Sequence, residues 1–308
     1  MNRRKFLFKA GQGLSGLALA GGLSGLKVAK AAGSDYKALV CVFLYGGNDG
    51  NHLLIPIDDV GYAQYSAVRT VASGLNIPIG SWLKVQGSDS SGRLFGFHPS
   101  LTGIKTVFES GRLAWVANVG TLSQPLTRAN YRSGAKVPDS LFSHLDQQNE
   151  WQSALASAQS QPTGWGGRLS DATGALNAGS SFPMLVDLSG VSLFSKSARS
   201  QVVSGPSTLQ GFGSSASAQA RYSTYRSLQG LNEGGSLVRA LNALTGQGED
   251  ASALLGQALA NPVTLSTVFP SGSLANQLKT VASLIAARGS LGVSRQIFFC
   301  SLGGFDTH

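Results

Sequence analysis

Two stretches of this sequence end alike. "FLYGGNDGNH" closes at His52 and "FCSLGGFDTH" at His308; in each, an apolar run gives way to Gly-Gly, one variable residue, an Asp, and a His two or three positions on. Asp49, His52, Asp306 and His308 are carboxylate and imidazole donors, a mixture that suits Zn²⁺ or Mn²⁺ better than Ca²⁺, which takes oxygen ligands. The chain has four histidines and two of them lie in these endings, which favours a site. For either stretch alone the plainer alternative is a turn whose Asp caps the next helix. At His52, Asn51 or a backbone turn also accounts for the position.

A third cluster is "DSLFSHLDQQNEWQSA", residues 139 to 154. It reads as a loop entering a helix, so Ser143 and His144 fall near a helix N-terminus, where unpaired N–H groups and the helix dipole favour an anion. Two readings stand: Ser143 as a nucleophile made reactive by metal, with His144 beside it, or Ser143 as a cap and His144 as a surface or packing residue. Asp146 and Glu150 share a helix face, and Trp151 reads as packing. Arg168 in "GWGGRL" is either an anion clamp or a solvated loop residue, and His98, before Pro99, reads as structural.

These residues need elements to hold them. The run 36 to 52 reads as a strand buried on both faces, which implies a parallel sheet. "HPSLTGIKTVFESG" has helical spacing at Leu101, Ile104, Val107 and Phe108 and stops at Gly111. "RLAWVANVG" (112 to 120) reads as a second strand, completing a βαβ unit, and "FPMLVDLSG" (182 to 190) as a third. Residues 190 to 272 drift to Ser, Gly, Ala and Gln and read as a helical excursion or cap; residues 273 to 289 read as a helix leading into a strand at 295 to 301. In an open parallel sheet, ligands gather outside the carboxyl ends of the strands, so two strands with similar endings can point Asp49, His52, Asp306 and His308 into one crevice.

The bulk composition, 42% hydrophobic and 13% charged over 308 residues, supports a real core. The net charge of +9 is concentrated at the start: Arg3, Arg4, Lys5, Lys9, Lys27 and Lys30 precede the first acid, leaving eighteen basic against fifteen acidic residues in the rest. No basic stripe for nucleic acid remains. The opening residues carry a basic head, a weakly apolar Gly/Ala/Leu stretch and Ala29-Lys30-Ala31 as a cleavage site. Arg3-Arg4 followed by Lys5-Phe6-Leu7 matches the twin-arginine type. We read 1–31 as a signal peptide delivering the chain to the periplasm or otherwise outside through the twin-arginine translocase, with no stable membrane span after cleavage. The alternative is an uncleaved anchor, but the apolar stretch falls short of the ~20 residues a span needs. Cys41 and Cys300, each inside an apolar run, read as two inert thiols.

Together, "FLYGGNDGNHLLIPIDD", "FGFHPSLTGIKTVFESGRLAWVANVG", "SHLDQQNEWQSA", "GWGGRLSD" and "SLGGFDTH" resemble successive blocks of the twin-arginine-exported domain of unknown function 1501 family, which is grouped with alkaline phosphatase and sulfatase-like hydrolases. The resemblance implies an α/β fold over 35–308, an alkaline phosphatase-like mostly parallel sheet flanked by helices. It implies a metal-dependent hydrolase of phosphate or sulfate esters acting on a small anionic substrate. Asp49, Asp306 and His308 would be ligands in a two-metal site, with Zn²⁺ the expected divalent metal, and Ser143 the nucleophile with His144 adjacent. Members of that family continue past "GGFDTH" into a further Asp-His block, so the chain is expected to be a fragment, incomplete at its C-terminal end. The competing expectations are a non-catalytic exported binding or assembly module on the same fold, and an inactive fragment.

Overall fold

The computed structural model describes residues 36–87, 92–155, 162–204, 212–231, 235–260 and 264–306. His308 and the signal-like residues 1–31 therefore lie outside the described residues. In chain order the elements are β1 (Lys37–Leu44), β2 (Leu54–Pro56), α1 (Asp59–Val68), β3 (Leu83–Gln86), β4 (Leu94–Phe97), α2 (Thr102–Glu109), α3 (Arg128–Arg132), α4 (His144–Ser153) and α5 (Trp165–Thr173). There follow β5 (Leu185–Asp187), β6 (Val202–Ser204), α6 (Ala216–Gln229), α7 (Ser236–Ala260), α8 (Ser273–Ala286) and β7 (Arg295–Leu302). They form two compact units: residues 48 to 119, and residues 36 to 47 with 120 to 306.

The second unit is a mixed α/β structure built on a four-stranded, all-parallel sheet in the order β1-β7-β5-β6. Helices flank it on both faces, because consecutive residues of β5 and β7 point to opposite sides and both sides are apolar. On one face Val186, Phe298 and Cys300 pack with Ala251 and Leu255 of α7 and with Val281 and Leu284 of α8. On the other, Leu185, Ile297 and Phe299 pack with Phe194 and with Trp165 and Leu169 of α5. Helix α8 buries Val281 and Leu284, and Leu274, Leu278 and Ile285 pack partly buried beside them.

Residues 48 to 119 form a different kind of structure, an antiparallel sheet in the order β2-β4-β3. Its core is Ile55, Ile57, Tyr65 and Trp82. The first turn of α1 is fixed by Asp58, whose Oδ1 accepts the Gly61 N–H at 2.9 Å while its Oδ2 meets Arg93 Nε at 2.9 Å.

Three expectations about elements need correction. The strand expected at 112–120 is absent: Trp115 instead packs edge-on against Phe97, with ring centroids 5.5 Å apart, and Val116 and Val119 are exposed. The βαβ unit expected from that strand is therefore not formed. The first strand is not buried on both faces; it is an edge of the sheet, and Leu39, Val40 and Val42 are 36–43% exposed. The stretch from 190 to 272 is not only helical, since β6 within it forms the other edge of the sheet. Finally, no helix among the described residues is long and apolar enough to cross a membrane.

Candidate functional site

The two strands with similar endings are neighbours. β1 and β7 pair in parallel from Lys37↔Arg295 to Leu44↔Leu302, and Tyr45 N–H extends the ladder to Leu302 O at 2.9 Å. Their carboxyl ends therefore open on the same side of the sheet. The glycines after β1 then do specific work. Gly47 has φ +88°, and a Cβ there would stand 2.5 Å from Asp306 N and 2.6 Å from Asp306 Cα. A Cβ on Gly46 would stand 2.5 Å from His144 Cβ and 2.9 Å from Gln148 Nε2. Lacking side chains, the pair lets the segment after β7 and the first turns of α4 reach the mouth of β1.

Ser143 caps α4: its Oγ accepts the Asp146 N–H at 3.2 Å. It is half-buried, while His144 is exposed. The helix is held at several points along its length. Trp151 packs on Phe43 at 4.9 Å and on Trp165 at 5.7 Å, in keeping with its reading as a packing residue. Gln152 Oε1 accepts the Phe194 N–H at 3.0 Å. Arg168 donates to Ser153 O at 2.6 Å and Thr163 O at 2.9 Å, so it is neither anion clamp nor solvated loop but a tie between the end of α4 and the start of α5. The glycines beside it have the same purpose as Gly46: a Cβ on Gly164 or Gly167 would lie 2.0 Å from the Leu193 or Lys196 carbonyl oxygen.

Glu150, on the same helix, is fully buried, and neither carboxylate oxygen has a hydrogen-bond partner. Asp187 at the end of β5 is equally buried but fully met. It accepts from the N–H and Oγ of both Ser189 and Ser192 and from Ser195 Oγ, over 2.5–3.0 Å. Beyond the end of β5, the Gln277 amide stands in for a neighbouring strand, taking Ser301 N–H at 2.9 Å and giving to Ser301 O at 3.0 Å. Gln152, Asp187 and Gln277 went unnoticed in the sequence. Only Asp187 had a local signal, the serines that follow it at short spacing.

Asp49 belongs to the other unit. Its Oδ1 accepts the Asn51 N–H at 3.1 Å, and its Oδ2 pairs with Arg69 Nη2 at 2.5 Å. His52 Nδ1 is 3.8 Å from that Oδ2, and His52 Nε2 lies 2.7 Å from Tyr65 Oη. Burial holds His52 below the ordinary imidazole range, with the Asp49 charge working the other way. His98 is structural, its Nδ1 accepting the Ser100 N–H at 3.2 Å.

Of the groups expected to hold a cation, Asp49 and Asp306 are described and His308 is not. Asp49 has its carboxylate taken by a guanidinium and a capping N–H. Asp306 is exposed at the last described position, and His308 lies beyond it. Among the described residues no group of three or more His, Cys, Asp or Glu side chains could hold a metal ion. No family model, curated protein or solved structure matches this chain.

The two cysteines lie on opposite faces of the sheet: Cys41 is in register with Phe299, and Cys300 with Val42. Parallel neighbours in register point the same way, which sets the thiols on different sides and bars a disulfide between them. Both are free. Burial pushes the Cys41 thiol up to about 12 and the Cys300 thiol to about 11, with the Asp187 charge adding to each.

Proposed function

We propose that this chain is an exported hydrolase of small anionic esters, phosphate or sulfate, on an alkaline phosphatase-like scaffold of the domain of unknown function 1501 kind. The observation that carries the reading is the meeting of the Ser143–His144 turn with Gly46 at the carboxyl end of β1, beside the Asp306 segment on Gly47. A parallel sheet holds ligands at that edge, and the first turn of a helix favours an anion. In this reading Ser143 Oγ gives up its proton and bonds to phosphorus or sulfur as the bond to the ester's alcohol oxygen breaks and the alcohol leaves with a proton; water then cleaves the seryl ester, restoring the hydroxyl and releasing phosphate or sulfate, while the α4 N-terminus faces the negatively charged oxygens. The divalent metal, Zn²⁺ for a mixed carboxylate and imidazole set, remains part of the proposal, with Asp49, Asp306 and His308 as the ligands to be tested. Export through the twin-arginine route to the periplasm belongs to it as well, and cell fractionation of an Arg3→Lys/Arg4→Lys variant tests that part.

The deciding experiment assays p-nitrophenyl phosphate and p-nitrophenyl sulfate with and without added Zn²⁺, alongside elemental analysis. Ser143→Asp keeps a good helix cap but removes the hydroxyl, so it separates chemistry from folding. Turnover by the parent chain and none by Ser143→Asp supports the assignment. Turnover of neither ester in any condition, or full turnover by Ser143→Asp, overturns it.

A second reading, a non-catalytic binding or assembly module on the same scaffold, is favoured by one pair of facts. Ser143 Oγ and the Asp49 carboxylate each already serve a structural contact, the cap on Asp146 N–H and the pair with Arg69. A folded chain that binds no metal and turns over neither ester belongs to this class.

A further inference from the structure

Strand β6 is an edge of the parallel sheet, and the direction of its backbone groups follows from its neighbours. Ile297 N–H bonds Met184 O at 2.8 Å and Leu188 N–H bonds Phe299 O at 2.8 Å, so Met184, Val186 and Leu188 turn toward β7, leaving Leu185 and Asp187 to face β6. With Leu185 in register with Val202 and Val186 with Val203, the residue of β6 that answers them is Val203. Val202 therefore directs its N–H and C=O outward, away from β5, and among the described residues no strand pairs with that edge.

Against β6 lies a groove of about 460 Å³, within the roughly 300–1,000 Å³ of ligand clefts. Val202 and Val203 line one side of it, and Leu244, Gly248 and Ala251 of α7 the other. The helix leaves room there, since a Cβ on Gly248 would meet nothing within 4 Å. The floor is apolar, with Val203 and Ala251 buried, and the rim is hydroxyl and amide. Arg199, which is exposed, is the one charged residue of the lining. Asp171 takes the N–H groups of Ala198, Arg199 and Ser200, so the turn before β6 has no amides to offer an anion. The Arg199 guanidinium, which forms no ion pair among the described residues, is the group left for one.

We propose that this groove receives the C-terminal end of another polypeptide as an added strand, antiparallel to β6, with the terminal carboxylate on Arg199. In an antiparallel pair, a residue that turns its backbone toward its partner exchanges both bonds with the residue opposite. The third residue from the peptide's end meets Val202 in this way. From Val202 back to Arg199 is three residues, about 10 Å of strand, which carries the peptide's last residue and its carboxylate to the guanidinium. The fourth residue from the end lies opposite Val203 and turns the same way, toward α7, so an apolar side chain there enters beside Leu244, Gly248 and Ala251. Backbone pairing gives the affinity, the space at Gly248 selects the side chain, and the arginine demands a free end.

The test is fluorescence anisotropy of the full chain with a fluorescein-labelled hexapeptide acid carrying leucine fourth from its end. Saturable binding is expected below about 1 mM. The C-terminal amide of the same peptide should bind roughly tenfold more weakly, and Arg199→Gln should bring the acid down to the level of the amide while leaving the amide unchanged. N-methylation at the third residue from the end removes the donor to Val202 O and should weaken the acid by about tenfold. Gly248→Leu, which fills the groove with a better helix former, should abolish binding. No binding of the acid by about 1 mM overturns the proposal, and so does an acid indifferent to Arg199→Gln, to N-methylation or to Gly248→Leu. Displacement of the acid by an equal concentration of acetate would reduce the groove to a plain anion site and overturn the strand pairing.

Discussion

Gly47 and Asp306 touch backbone to backbone: a Cβ on the glycine would stand 2.5 Å from the aspartate's nitrogen. The mouth of β1 and the segment leaving β7 are thus held closer than any side chain allows. Gly47→Ala combines that clash with a positive φ and should lower stability by about 2–4 kcal/mol. Gly74→Ala, with φ +71° but open space around it, should lose only about 1 kcal/mol. Urea denaturation of the two variants measures the difference, and equal losses would show that the close approach does not exist in solution.

Glu150 presents the opposite situation, a buried carboxylate whose oxygens meet no partner. Removing such a group and filling its volume with an apolar chain relieves an uncompensated desolvation. Glu150→Met should raise stability by about 1–3 kcal/mol, read as a higher urea midpoint at unchanged slope. A lower midpoint would mean that the carboxylate has a partner in solution, such as a bound cation.

Asp171 links α5 to the turn before β6. Burial works to raise its pKa, but hydrogen bonds from the N–H groups of Ala198, Ser200 and Arg199 and from Ser200 Oγ outweigh it, and the net shift is downward. A depressed folded-state pKa means that the stabilisation is complete above the unfolded value near 3.9 and is lost as pH falls through the folded value. Asp171→Asn should therefore cost about 1 kcal/mol at neutral pH, and parent and variant curves should converge as the pH falls through the folded-state value. A gap that persists in acid would assign the loss to something other than the charge.

Both thiols should be silent. With pKa values pushed to about 12 and about 11, less than roughly one molecule in a thousand carries either thiolate at pH 8. Ellman's reagent should find no fast thiol in the native chain and two in guanidinium, and oxidation should leave no bridge within the chain. Rapid labelling of Cys41 at pH 8 would refute the buried environment.

The shared ending of β1 and β7 was legible because it is written in residue type: apolar run, glycines, acid. What the glycines accommodate was not, since Gln148, His144 and Asp306 approach from far along the chain. The edge position of β1 was misread because a continuous apolar run is the usual mark of a central strand, whereas strand order carries no local signature. At 112–120 the run was apolar for another reason: Trp115 serves Phe97. The antiparallel unit was missed because strands of three or four residues are too short to show a period. Gln152 and Gln277 bond backbone groups 42 and 24 positions away, which no reading of neighbours reveals.

The order β1-β7-β5-β6 places the strand latest in sequence at the centre of the sheet. Among the described residues β1 pairs with β7 alone, so Lys37 waits for Arg295 until nearly the whole described chain has been synthesised, on the order of ten seconds or more at ribosomal speeds. High contact order of this kind slows folding and leaves an unpaired apolar strand open to aggregation and to chaperones. Closure of the sheet is accordingly a single late event on the ribosome or after release, and the amides of β1 should be the last to gain protection in a pulse-labelled refolding reaction.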